Sequence, residues 1–133
     1  MTDAEFLAAL ESGALAEAEF NHAGHVRAAW LYLRQSPFPQ ALVRMSAALR
    51  NFATVQGKPD RYHETITVAY LALINERILL HSAGGNWQEF IEQNHELLDR
   101  RLLTHYYRPE TLASPDARRV FILGEFRNPP YSA

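Results

Sequence analysis

Apolar residues in this chain recur every three or four positions, and that period constrains the fold more than any other feature. Phe6, Leu7 and Leu10 form one stripe, and Val26, Ala29 and Leu33 form a second. Leu42, Met45, Leu49 and Phe52 make a third, and Ile66, Leu71, Ile74 and Ile78 a fourth. A period near 3.6 places each set on one face of a helix. No segment alternates convincingly with period two, so nothing in the chain predicts a sheet.

Breakers separate the stripes. Gly13, Ser36-Pro37-Phe38-Pro39, Gly57 and Gly84-Gly85 stop the helices in turn. The pattern predicts helices over residues 3–12, 22–35, 39–56 and 62–82, then short ones over 87–93 and 96–104. Asp3, Asn21, Asp60 and Asn86 are the predicted caps. Pro109 and Ser114-Pro115 read as further helix starts, and Asn128-Pro129-Pro130 as a loose tail. The expected fold is therefore all-α: a single-domain antiparallel bundle of four to six helices with a less regular C-terminal region. Residues 1–20 supply an acidic helix and connection, 21–83 a three-helix core, and 84–133 short helices and the tail. Short connections make the second and fourth helices parallel, with their N-termini at one end.

Composition narrows the chemistry. A chain of 133 residues, 47% apolar, fits one domain with a real core. It has no cysteine, which excludes disulfides, thiolate metal sites and thiol nucleophiles. The net charge of -2, with signs mixed along most of the chain, argues against nucleic acid as a partner. No apolar run approaches a membrane span, and no secretory leader is visible. A cytoplasmic location with no membrane partner is expected.

The unusual residues are histidines at helix starts. His22 shares a sector with Val26, Ala29 and Leu33, and His25 lies one turn on at its edge. His63 shares a sector with Thr67, Tyr70 and Ile74. Three imidazoles thus gather at one end of the bundle if these helices are parallel. A helix N-terminus and burial both disfavour imidazolium, leaving the neutral form that ligates metals. His22, His25 and His63 are accordingly candidate metal ligands for zinc, iron, manganese or copper, with Glu64 or an acid from Glu17 and Glu19 completing the set. In that reading Glu64 is a catalytic acid/base, Tyr62 a nearby donor, and Trp30 and Tyr70 line a small-molecule cavity. The bland readings stand beside it: buried histidines are usually satisfied core residues, and aromatics at helical spacing are usually core. A metal-free polar pocket and an inert structural network are the alternatives. So is a non-enzymatic helical module for a small ligand or protein partner. His81, His95 and His105 are given no role, and Arg100-Arg101 and Arg118-Arg119 read as solvated surface. No phosphate-binding loop, dinucleotide fingerprint or nucleophile elbow is present.

The strings FNHAGHVRAAWLYL and YHETIT, followed by LLD and YYRPETLASPDAR, resemble segments of a group of short, functionally uncharacterised bacterial helical proteins. The likeness spans residues 20–121. It implies that the two histidine segments belong to one recurring unit and carries no activity with it. Hemerythrin-like and ferritin-like proteins are not resembled, because their paired Glu-x-x-His motifs are missing.

Overall fold

The computed structural model describes residues 1–81 and 85–126, and everything below concerns those residues. Gly84 and the Asn128-Pro129-Pro130 tail lie outside them. The protein is an all-α bundle with no strand among the described residues. Its helices are α1 (Asp3–Ser12), α2 (His22–Gln35), α3 (Phe38–Val55), α4 (Glu64–Leu80), α5 (Trp87–Gln93), α6 (Pro109–Ala113) and α7 (Pro115–Arg119). The last two are single five-residue turns in the region expected to be less regular. None of the described helices is long and apolar enough to cross a membrane.

Local chemistry explains most helix ends. Asn21 accepts the Gly24 N–H at 3.0 Å and starts α2, and Asn86 accepts the Glu89 N–H at 2.9 Å and starts α5. Each such cap is worth about 1 kcal/mol. Gly13 closes α1 with φ of 81°, and a Cβ there would stand 2.7 Å from Val55 Cγ2 on α3. That glycine both permits the left-handed turn and lets α1 approach α3.

Three helix boundaries differ from the sequence expectation. Thr2, not Asp3, caps α1: its hydroxyl takes the Glu5 N–H while the Glu5 carboxylate takes the Thr2 N–H, a reciprocal capping box. The predicted helix over 96–104 is two 3₁₀ turns, His95–Leu98 and Leu102–His105. Asp99 interrupts it in extended backbone because its carboxylate accepts the Arg101 N–H at 2.9 Å. Most consequentially, α4 begins two residues later than expected. Asp60 lies in a 3₁₀ turn, Pro59–Arg61, and His63 is the cap.

The core sits where α1 and α2 pack on α3 and where α4 closes over α2 and α3. Leu10, Val26, Tyr32, Leu71, Ile74 and Leu97 are fully buried in it. Burying such apolar side chains stabilises by about 1.5–3 kcal/mol each, so the bundle has a driving force independent of any histidine. Residues after α7 fold back on α4. The buried Thr65 hydroxyl donates to the Val120 carbonyl at 2.9 Å and accepts the Ile122 N–H at 3.0 Å. Tyr107 holds the same segment by donating to the Ile122 carbonyl at 2.6 Å.

Candidate functional site

The first turns of α2 and α4 and the last turns of α3 enclose one cavity of about 580 Å³. That volume falls within the range of small-molecule sites. Its floor is buried and apolar, supplied by Val26 and Ala29 from α2, Met45 and Phe52 from α3, and Leu71 and Ile74 from α4. Its rim is exposed and charged: Glu17, Lys58, Arg61, Arg100 and Arg118. Amphipathic helices leave such a space when facing side chains are too short to meet. Here Ala29 and Ala53 stand where longer residues would fill it.

All three candidate histidines line this cavity, but each is held differently. His63 Nδ1 accepts the Ile66 N–H at 3.1 Å, and Nε2 lies 2.7 Å from the Leu112 carbonyl. A carbonyl only accepts, so the ring proton is on Nε2 and both nitrogens are used. Burial lowers its pKa, with the Leu112 bond opposing and Arg118 adding to the fall. His22 donates from Nε2 to the Leu97 carbonyl at 3.0 Å and meets the Tyr70 ring edge-on at 5.2 Å. Burial again lowers its pKa, against that bond, and Arg100 lowers it further.

His25 is different. Its ring stacks on Phe20 at 4.0 Å between centroids, with planes 23° apart. Neither nitrogen has a hydrogen-bond partner among the described residues. The ring keeps accessible surface because it faces the cavity, while protein crowds its other sides. Desolvation first, then His22 and Arg100, push its pKa down to about 4. His25 is therefore a neutral imidazole offering an unused donor and an unused acceptor.

The remaining sequence candidates divide. Tyr62 and Tyr70 line the cavity. The Tyr70 hydroxyl donates to the Asp99 carbonyl at 2.9 Å, and burial pushes its pKa up to about 12. The Tyr62 hydroxyl donates to Glu64 Oε1 at 2.5 Å. Glu64 itself does not line the cavity, and its carboxylate faces Arg50 at 3.7 Å. Glu64 adjoins the cavity only through the Tyr62 hydroxyl. Trp30 is not a lining residue either. It is 2% exposed, packed in the core between Trp87 and Phe90 with the Arg34 guanidinium over its ring. His81 lies outside the cavity, as its distance along α4 of about 27 Å at 1.5 Å per residue requires.

The described residues hold no group of three or more His, Asp or Glu side chains placed to share one metal ion. The geometry gives the reason. His63 would have to release either its helix cap or Leu112, and His22 has one nitrogen left. The expected acid, Glu17, is bound to Lys58 at 2.9 Å and Arg61 at 2.7 Å. Its hydrogen bond with Lys58, above all, holds its carboxyl below the usual range.

Sequence reasoning missed the cationic rim. Arg100 and Arg118 were expected to be plain surface, and Lys58 and Arg61 were given no role. They come from three separate stretches of the chain, so no local spacing links them. No protein-family model, curated protein or solved structure matches this chain.

Proposed function

We propose that this protein is a non-enzymatic helical module that binds one small, largely apolar ligand in the cavity between α2, α3 and α4. The supporting observation is His25: a neutral ring that lines a cavity of about 580 Å³ with no protein partner for either nitrogen. A histidine kept for packing spends its nitrogens on the protein, as His63 does. His25 is instead positioned to read one polar group on a ligand whose body fills the apolar floor. His22 and His63 fix the walls. Their bonds to Leu97 and Leu112 tie the C-terminal half to α2 and α4.

A transition metal on these histidines has less support, because His63 has both ring nitrogens engaged and His22 one. A small ligand needs no such release.

A neutral environment-sensitive dye, N-phenyl-1-naphthylamine, tests the reading. Saturable emission enhancement near one dye per chain is expected. Ala29→Phe and Ala53→Leu, which fill the cavity from α2 and from α3, should each abolish it while the thermal melt stays cooperative. No saturable binding, or binding indifferent to both fillings, refutes the proposal. One equivalent of zinc, iron, manganese or copper retained through dialysis by untagged protein and lost in His25→Ala would favour the metal reading instead.

A further inference from the structure

We infer that the ligand of this cavity is an amphiphilic anion: an apolar body ending in a single carboxylate, which pairs with Arg100 and takes a second hydrogen bond from His25. This deepens the binding reading above and rests on it.

The argument starts from charge. Four cations and one carboxylate line the cavity, a net of three positive charges in a chain whose total is -2. Concentrating one sign around a concave, partly apolar site raises the local concentration of the opposite sign. The cations are not equivalent. Lys58 and Arg61 already share Glu17. Arg118 donates to the Asp60 carbonyl at 2.9 Å. Arg100 has neither an ion pair nor a hydrogen bond among the described residues, although its neighbour Arg101 reaches Asp99.

Arg100 also stands close enough to His22 and His25 for its charge to disfavour protonation of both. A guanidinium and a neutral imidazole N–H therefore face the same space. A carboxylate accepts from both at once, and the planar guanidinium fork matches its two oxygens. The guanidinium without a protein partner among the described residues offers one planar fork, which a planar carboxylate fills. A phosphate ester, tetrahedral rather than planar, matches that single fork less well. The apolar floor then takes the body: Val26, Met45, Phe52, Leu71 and Ile74 present no polar side-chain group to bind.

The test is titration calorimetry on the full chain with decanoate, decanol and decyl phosphate, which share one apolar body. Decanoate is expected to bind about tenfold or more tighter than decanol, the scale of charge-assisted hydrogen bonds. Raising the salt should shrink that ratio. Arg100→Gln should remove most of the preference and leave decanol binding unchanged. Arg101→Gln, one residue away but off the cavity, should leave both unchanged. Equal binding of decanoate and decanol overturns the inference, as does a preference that survives Arg100→Gln. Decyl phosphate binding more tightly than decanoate overturns the carboxylate. If N-phenyl-1-naphthylamine saturates the cavity but decanoate shows no advantage, this inference falls and the binding reading survives. If the neutral dye also fails, the binding reading itself falls.

Discussion

Replacing His63 with leucine distinguishes a structural histidine from a spare one. From sequence alone the substitution looks harmless, because leucine fills a similar volume on an apolar face. The structure reverses that expectation. Leucine removes the acceptor for the Ile66 N–H, the cap of α4, at a cost of about 1 kcal/mol. It also strips the Leu112 carbonyl of its 2.7 Å donor, which costs about 1–3 kcal/mol when no water replaces it. Burying leucine at a site only 7% exposed returns about 1 kcal/mol. The net loss is about 2 kcal/mol. For 133 residues, at about 4 °C per kcal/mol, the melting temperature should fall by roughly 8 °C. His63→Asn keeps a cap acceptor but cannot reach Leu112, so it should lose about half as much. Thermal melts followed by helical circular dichroism near neutral pH measure both. A leucine variant that melts with the wild type, or an asparagine variant that melts below it, would sink the assignment.

Acid should weaken the fold before carboxylates titrate. His22, His25 and His63 all have folded pKa values below the ordinary 6.5, so the unfolded chain binds protons more readily. Their contribution is complete above about pH 6.5 and is lost as pH falls toward about 4. Water entering the cavity screens His25, holding its share to about 1–2 kcal/mol against roughly 3 for a sealed ring. Urea melts across that window should show the decline, and His25→Gln should flatten part of it; a wild-type curve flat from pH 7 to 5 would contradict the burial argument. Thr65→Val keeps the shape but removes both bonds to the returning C-terminal segment. It should cost about 1–2 kcal/mol and speed hydrogen exchange at the Ile122 amide; unchanged exchange would show that Tyr107 holds the segment unaided. Gly13→Ala combines a positive φ with a contact at 2.7 Å to Val55. A loss of about 1–3 kcal/mol is expected from strain of this kind, and a neutral result in a chemical melt would mean that α1 shifts off α3 at no cost.

The sequence by itself determined the helices. Apolar period, proline and glycine stops, and asparagine caps are local signals, and local signals survive without neighbours. Hence α2 and α5 begin where Asn21 and Asn86 place them. Facing was legible too: His22, His25 and His63 line one cavity because helix geometry fixes their direction once the bundle order is known. The tertiary structure decided how each histidine is spent. A ring nitrogen finds its partner across 75 residues for His22 and 49 for His63, and no spacing rule encodes that. Histidine is also a rare cap, so local preference pointed to Asp60 while the fold used His63. Glu64 and Trp30 fell outside the cavity for a related reason. A residue a quarter turn off the face, or one deeper in an aromatic cluster, is assigned by packing rather than by period. The cationic rim is the clearest case. Lys58 with Arg61, Arg100, and Arg118 lie on three separate stretches of the chain, and only folding brings their charges to one opening.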